Sequence, residues 1–321
     1  MKIGLLFAGQ GAQYTGMGSS LYENSKAAKE IFDIAGEEIK EWCFHGTKEM
    51  LRMTKITQPC IYTVTMAAYG AFLEELSALP NKDIEIVGMA GFSLGEYAAL
   101  TAAGAIDDYK KGISIVTKRG NWMNEAGLNQ DGEPMGGMIA AIGERGHIQH
   151  GVALCREDGI LECVNFNSPS QTVIAGDKEA LERFKAKAKE MGHIKAVPLS
   201  VSTAFHSPIM APSVSKLKEL LLKEDLKEPK GKIYSNVTGK PLPANVDLAE
   251  LMSVQAMSPV YWQETIENMM KDGVELFVEI GPGKTLSGLV KKINHEAHTL
   301  NIEDQDSLEH AISTLKGEGL C

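Results

Sequence analysis

Cysteine is scarce in this sequence, and no CxxC pair occurs. The five cysteines are an odd number scattered along 321 residues: Cys43, Cys60, Cys155, Cys163 and Cys321. This pattern argues against a disulfide framework and against a zinc site built on cysteine. We therefore expect the cysteines to be small buried hydrophobic residues in a reducing compartment.

Long apolar runs and excess basic charge are also lacking. No apolar stretch approaches the roughly 18 residues of a membrane span, and the run at residues 3–8 is too short for a signal-peptide core. We expect a cytoplasmic protein that binds no membrane.

The net charge of −10 argues against nonspecific nucleic-acid binding, which needs a basic face. A composition of 44% hydrophobic and 23% charged residues is that of a globular chain, long enough for one large domain and a smaller one.

Strand and helix patterns alternate over most of the chain, which predicts an α/β fold with its site at the carboxyl edge of the sheet. Predicted strands lie at residues 2–8, 84–90, 232–236 and 274–280. Predicted helical regions lie at about 14–53, 61–76, 97–103, 107–124, 261–271 and 285–294.

A second pattern interrupts this alternation after residues 127–137, a stretch rich in Gly, Asn, Asp and Pro that is typical of a linker. Six elements follow in the order βαββαβ, which is typical of a ferredoxin-like unit. They are strands at 138–142, 161–165, 171–175 and 194–198 and helices at 144–158 and 178–191. We therefore predict a large domain of residues 1–130 and 199–321, with a small subdomain inserted at 131–198.

The six residues from position 91, Gly-Phe-Ser-Leu-Gly-Glu, predict a nucleophile at Ser93. They connect an apolar strand to an alanine-rich helix, as in a nucleophile elbow. Gly91 and Gly95 allow the sharp bend and the close approach of the helix to the strand. The alternative is a glycine-flanked turn with a solvated serine, but the strand before it and the helix after it favour the nucleophile.

A serine hydroxyl needs a base to react at neutral pH, and His206 is the best candidate. It lies in a loop that follows a predicted strand and reaches Pro208. The other histidines lie in charged or polar segments, where we expect them to be exposed: His45, His147, His150, His193, His295, His298 and His310. Two pairs of these have HxxH spacing but no recognisable third ligand, so we expect no metal site.

Two glycine-rich turns resemble phosphate-binding motifs and fail their patterns. The third glycine of GxGxxG after Gly9 and Gly11 is replaced by Tyr14, and the first glycine of a P-loop ending at residues 283–285 is replaced by Val278. The first turn is either a plain tight turn or a close backbone approach to a ligand, with Gln10 supplying an oxyanion-hole donor. The second predicts a turn and a helix start.

Together these segments resemble the malonyl-CoA:acyl carrier protein transacylase family. The resemblance covers nearly the whole chain and implies an α/β-hydrolase-like core, a mostly parallel sheet and an inserted ferredoxin-like subdomain. It implies transfer of a malonyl group from malonyl-CoA to the phosphopantetheine thiol of acyl carrier protein in fatty acid biosynthesis. Coenzyme A is then part of a substrate, no cofactor is needed, and a monomer is the expected assembly. The matching segments are 9–13, 91–96, 118–120, 165–169, 204–207, Gln255 and 281–284.

The resemblance also assigns roles to individual residues. Ser93 matches the family's nucleophile and His206 its base. Arg119 matches an arginine that holds the malonyl carboxylate, although its helical position alone predicts a solvated surface residue. Gln10 matches a glutamine beside the oxyanion hole and Gln255 a glutamine near the histidine.

Further expectations concern the rest of the site. The backbone N–H of Leu94, together with one near Gln10, is expected to stabilise the oxyanion. In this family Phe205 lies beside the acyl α-carbon in enzymes that prefer malonyl over methylmalonyl. The chain departs from the family at Phe92, where a histidine is usual, and in residues 129–137, which form a longer segment than usual.

For the acidic carrier protein, the candidate docking residues are Lys195, Lys284, Lys291 and Lys292, which the resemblance would bring close together. The alternative is a solvated charged face. Three other functions stay open at this stage. They are a stand-alone acyltransferase of a polyketide synthase, a serine thioesterase or lipase, which has no evident need for Arg119, and a carrier-binding protein without activity.

Overall fold

The computed structural model describes residues 1–79, 84–201 and 203–317. Cys321 lies outside the described residues. Within them, no helix has both the length and the apolar character needed to cross a membrane.

Nine strands form two sheets in the described chain. They are β1 (Lys2–Phe7), β2 (Glu85–Gly91), β3 (Gly136–Ile142), β4 (Leu161–Ser168), β5 (Gln171–Asp177), β6 (Lys195–Pro198), β7 (Ile233–Tyr234), β8 (Leu276–Ile280) and β9 (His298–Ile302). The helices are α1 (Ser19–Asn24), α2 (Lys26–Ala35), α3 (Glu37–His45), α4 (Thr54–Ser77), α5 (Gly95–Ala102), α6 (Tyr109–Ala126), α7 (Arg145–Arg156), α8 (Lys178–Met191), α9 (Ala211–Lys223), α10 (Leu248–Val254), α11 (Trp262–Lys271), α12 (Thr285–Ile293) and α13 (Gln305–Leu315).

The larger sheet is parallel throughout, with the order β7-β2-β1-β8-β9. Its central strand β1 is buried along all but its first residue, because helices cover both faces of such a sheet. The carboxyl ends of β1, β2, β7 and β8 therefore meet at one edge. The predicted mostly parallel sheet is confirmed.

The smaller sheet is antiparallel, with the order β4-β5-β3-β6. With α7 and α8 it runs in the order βαββαβ along the chain, which confirms the predicted arrangement of elements. Asn165 of β4 also forms a short parallel bridge with Val260, a residue that lies outside both sheets. The domain limits at residues 130, 131, 198 and 199 stay a prediction.

Two helix predictions were wrong in their bounds. The helical region expected at 14–53 is divided into α1, α2 and α3, because Ser25 is extended and caps α2 while Gly36 has a φ of 89° that ends it. The helix expected at 61–76 begins instead at Thr54 and continues through Pro59. Helix α4 is buried on nearly every side, so tertiary packing stabilises it beyond the range that its sequence pattern indicates.

The elbow segment forms the predicted connection between β2 and α5. A Cβ atom on Gly91 would lie 1.9 Å from the carbonyl carbon of Gly95, and one on Gly95 would lie 2.1 Å from the carbonyl oxygen of Phe7. Both distances are far below van der Waals contact. The two glycines are therefore required for α5 to start directly against β1 and β2.

This contact predicts the effect of one added methyl group. We expect Gly95→Ala to lower the free energy of unfolding by about 3 kcal/mol or more, because the new methyl overlaps backbone that cannot move aside. Gly288→Ala is the matched control: Gly288 is exposed within α12 and its Cβ would meet nothing within 4 Å. That change should instead raise stability by about 0.5–1 kcal/mol. Urea unfolding of the two variants checks both values; equal midpoints would contradict the argument.

Candidate active site

Ser93 lies at the turn between β2 and α5 with a left-handed backbone, φ 51°. Asn236, which follows β7, fixes this turn from the neighbouring strand. Its side-chain oxygen accepts the Ser93 N–H at 2.6 Å, and its amide nitrogen donates to the carbonyl of Gly91 at 2.6 Å. The strained turn is thus held by two hydrogen bonds from one side chain, and Ser93 lines a cavity of about 800 Å³.

His206 contacts the nucleophile directly. Its Nε2 lies 2.8 Å from the Oγ of Ser93, and its Nδ1 lies 3.0 Å from the carbonyl oxygens of Gln255 and Ser258. Since carbonyl oxygens only accept, the proton belongs on Nδ1 and Nε2 is free to accept from the serine hydroxyl. The two carbonyls thereby do the orienting that a carboxylate does in a Ser-His-Asp triad.

The protonation state of His206 suits a base. Burial lowers the pKa of His206 to about 4, and the positive charge of Arg119 acts in the same direction. The imidazole is therefore neutral at pH 7. The other histidines in the described chain are exposed, as expected from the sequence.

Arg119 is 1% exposed, so the surface position expected from its helix alone was wrong. Its Nη1 donates to the Oε1 of Gln58 at 2.9 Å, and its Nη2 donates to the Oε1 of Gln255 at 3.0 Å and lies 3.4 Å from the Oγ of Ser93. Its guanidinium also lies over the Tyr97 ring, 5.1 Å from the centroid. Within the described residues it has no salt bridge, and its Nε has no hydrogen-bond partner. A buried cation held only by neutral groups is suited to an anionic ligand.

Gln255 connects the serine, the base and the arginine. It is fully buried at the end of α10, and its Nε2 donates both to the carbonyl of Ser93 at 2.8 Å and to Glu96 at 2.8 Å. Its Oε1 accepts from Arg119 and its backbone carbonyl faces His206. One residue therefore sets the relative positions of three others.

Three residues of this network escaped the sequence predictions. Glu96 belongs to the elbow segment and could have been noticed there as an acidic residue in an alanine-rich helix. Asn236 follows a strand of the parallel sheet, a position that often carries function. Gln58 is one of several buried polar residues of α4, and only the packing of α4 against α6 brings it to Arg119.

The turn after β1 packs against the elbow. A Cβ atom on Gly9 would lie 2.4 Å from the carbonyl oxygen of Phe92, so the two backbones touch. The side chain of Gln10 turns toward Thr54, with Nε2 3.4 Å from its Oγ1. In the part of the chain that the structure describes, no group accepts the backbone N–H of Gln10 or Leu94. Both residues line the same cavity as Ser93.

Two phenylalanines form apolar parts of this cavity. Phe205 precedes the base and is 7% exposed. Phe92, where a histidine was expected from the resemblance, packs edge-on against Trp262 with ring centroids 5.2 Å apart. Its ring therefore belongs to the apolar cluster beside the sheet.

The remaining candidate residues do not line the cavity that contains Ser93. Lys284, Lys291 and Lys292 are exposed at the two ends of α12, which packs near β4. Lys195 lies on β6, the opposite edge strand of the small sheet, and the expected clustering of all four lysines stays a prediction. No group of three or more potential metal ligands occurs among residues 1–79, 84–201 and 203–317.

Comparisons with known proteins agree with this geometry. The acyl transferase domain family matches residues 5–312. The malonyl CoA-acyl carrier protein transacylase of Bacillus subtilis (strain 168) is 40% identical over 99% of this chain and 98% of its own. Among solved structures, a malonyl CoA-acyl carrier protein transacylase from Clostridium perfringens has a TM-score of 0.90 at 39% identity, with 99% of this chain and 98% of that one covered.

A second solved structure is a malonyl-transacylase in complex with a type II polyketide synthase acyl carrier protein. It has a TM-score of 0.90 at 33% identity and covers 98% of this chain and 100% of that one. These similarities extend over whole chains and include both sheets. The chain therefore belongs to the malonyl-CoA:acyl carrier protein transacylase family of acyl transferases.

Proposed function

We propose that this chain transfers a malonyl group from malonyl-CoA to the phosphopantetheine thiol of acyl carrier protein, through a malonyl ester on Ser93. The enzyme is thus an acyl carrier protein S-malonyltransferase of fatty acid biosynthesis. The observation that carries the proposal is the buried cation of Arg119, without a carboxylate partner among the described residues and 3.4 Å from a serine that contacts a neutral histidine.

In the first half-reaction, His206 Nε2 takes the Ser93 proton while Oγ attacks the thioester carbon. The tetrahedral oxyanion accepts hydrogen bonds from the backbone N–H groups of Leu94 and Gln10, which no described group occupies. Collapse breaks the C–S bond, and coenzyme A leaves with the proton from His206. The carrier thiol then repeats these steps in reverse, which gives ping-pong kinetics.

Arg119 gives the reaction its preference for a dicarboxylic acyl group. A guanidinium can hold the malonyl carboxylate with two charge-assisted hydrogen bonds, whereas an acetyl group leaves the buried charge unpaired. The bound carboxylate also offsets the positive potential that lowers the pKa of His206. A malonyl substrate therefore both fits the site and makes its base stronger.

Other assignments are parts of the same proposal. Phe205 would lie beside the acyl α-carbon and exclude a methyl branch there, and Gln255 orients the arginine. The exposed lysines of α12 would face the acidic carrier. A polyketide carrier is the second candidate acceptor, because a relative was solved with one. A cytoplasmic location stays a prediction; the cysteines of the described chain are free, which fits it.

Labelling the nucleophile tests this function directly. Incubation with radiolabelled malonyl-CoA should place one label per chain on Ser93, and addition of acyl carrier protein should move it to the carrier. Ser93→Ala should take no label, because the substitution removes the hydroxyl that forms the ester. Release of free malonate instead of transfer would indicate a hydrolase, and no labelling of the wild-type protein would indicate a binding protein.

Replacement of the arginine tests the basis of selectivity. We expect Arg119→Ala to lower kcat/KM for malonyl-CoA on the order of 100-fold, the value of two charge-assisted hydrogen bonds, and to lower it less for acetyl-CoA. The neighbouring Lys118→Ala is the control, because Lys118 is an exposed cation on the same helix. The argument fails if the malonyl:acetyl ratio of Arg119→Ala equals that of Lys118→Ala.

The pKa of the base predicts the acid limit of activity. Because the pKa of His206 is lowered to about 4, the neutral form persists well below pH 6.5. The rate of Ser93 acylation should therefore fall about tenfold per pH unit only below about pH 4. Acetyl-CoA in rapid-mixing assays is the suitable substrate, since its acyl group has no carboxyl to titrate. A limb centred near pH 6.5 would contradict the lowered pKa of His206.

A further inference from the structure

Glu96 is a buried carboxylate beside the site that the reaction described above does not use. It is 1% exposed and lies in the first turn of α5, three residues after Ser93. Among the described residues, Glu279 is the one other fully buried carboxylate. Glu279 accepts the backbone N–H groups of Leu286 and Ser287 at the start of α12, which explains its burial. Glu96 has no such helix-capping role.

The contacts of Glu96 all come from donors that support the active site. Its Oε2 accepts from the Nε2 of Gln255 at 2.8 Å, and its Oε1 accepts from the backbone N–H of Asn236 at 3.2 Å. The nearby hydroxyl of Ser235 also lowers the pKa of Glu96. Burial raises the pKa of Glu96 to about 7, against these hydrogen bonds and the charge of Arg119, which lower it. Above neutral pH both oxygens therefore act as acceptors.

The orientation of the Gln255 amide depends on this carboxylate. Its Nε2 lies between two groups that only accept, Glu96 and the carbonyl of Ser93. This leaves its Oε1 to accept from the Nη2 of Arg119 at 3.0 Å. If the Gln255 amide were turned over, its N–H groups would face the N–H groups of Arg119, and all of these are donors. Its oxygen would then face Glu96 and the Ser93 carbonyl, which are both acceptors.

We propose that Glu96 is a positioning residue for acyl selectivity: it fixes the Gln255 amide, and through that amide it holds the guanidinium of Arg119 toward Ser93. Glu96 itself touches neither the nucleophile's hydroxyl nor the base. The inference rests on the proposed function, in which Arg119 binds the acyl carboxylate. Its consequence is that a carboxylate outside the substrate cavity controls the choice between malonyl and acetyl groups.

The test is the ratio of kcat/KM for malonyl-CoA to that for acetyl-CoA, measured at pH 8, where Glu96 is ionised. In Glu96→Gln an amide N–H faces the donor of Gln255 or that of Asn236, whichever way it turns, and Glu96→Ala removes the acceptor entirely. We expect the ratio to fall about tenfold, the effect of one unsatisfied buried donor. The fall should appear in the malonyl reaction, with the acetyl reaction changed less.

A double-mutant cycle shows whether the effect passes through Gln255. If it does, adding either Glu96 substitution to Gln255→Ala lowers the ratio no further. Glu279→Gln is the control, because it makes the same isosteric change in the other buried carboxylate, which lines the substrate cavity but contacts Leu286 and Ser287 and not Gln255. It should lower thermal stability and leave the ratio unchanged.

Each outcome decides the matter. Three results would overturn the positioning role. The malonyl:acetyl ratio is unchanged in both Glu96 variants, or it falls further when a Glu96 substitution is added to Gln255→Ala. The third is an equal fall of the ratio in Glu279→Gln. These results differ from failure of the proposed function, in which the wild-type protein itself transfers no malonyl group. Circular dichroism identifies any variant that does not fold, and the other Glu96 substitution then supplies the ratio.

Discussion

The close contact of three backbone segments, at the ends of β1 and β2 and the start of α5, determines the position of the catalytic groups. No side chain fits between them, since a methyl on Gly95 would overlap the Phe7 carbonyl. The chain must therefore turn within two residues, and Ser93 takes a left-handed backbone. That turn sets the Leu94 N–H at the end of the sheet, next to the turn after β1 that carries Gln10. Nucleophile and oxyanion donors are thus products of one steric constraint.

Two buried groups of the site, His206 and Arg119, can carry a positive charge, and they differ in protonation state. His206 is neutral, because burial and the nearby Arg119 lower its pKa. Arg119 keeps its charge and is oriented by the amides of Gln58 and Gln255, which supply direction without neutralising it. An aspartate on His206 would attract the arginine as well and would compete with the acyl carboxylate. Two backbone carbonyls orient the imidazole without that competition.

The local parts of this arrangement could be predicted from the sequence, and the long-range parts could not. Short patterns of glycine, apolar residues and turn residues predict the elbow and the βαββαβ order. The loop around His206 distinguished it from the seven other histidines. By contrast, Arg119 looked like a surface residue, because nothing in α6 itself shows that α4 covers it. Asn236 lies 143 residues from Ser93 in sequence, and no local pattern links the two. The predicted start of α4 was wrong for the same reason, because distant elements bury the first turn of this helix, at Thr54, and stabilise it.

Phe92 stands where the resemblance to the family leads us to expect a histidine, and the hydrogen bonds around it show that the turn does not need one. Its ring packs on Trp262 among apolar residues, so it neither donates nor accepts at the site. The side chains that make polar contacts with Ser93 are those of Asn236, Gln255, His206 and Arg119. Only the backbone of Phe92 is used, through its N–H on the Phe7 carbonyl and its own carbonyl, which accepts from Gly95. Any residue except proline can supply those two bonds, so the hydrogen bonds of the turn do not require a histidine side chain at position 92.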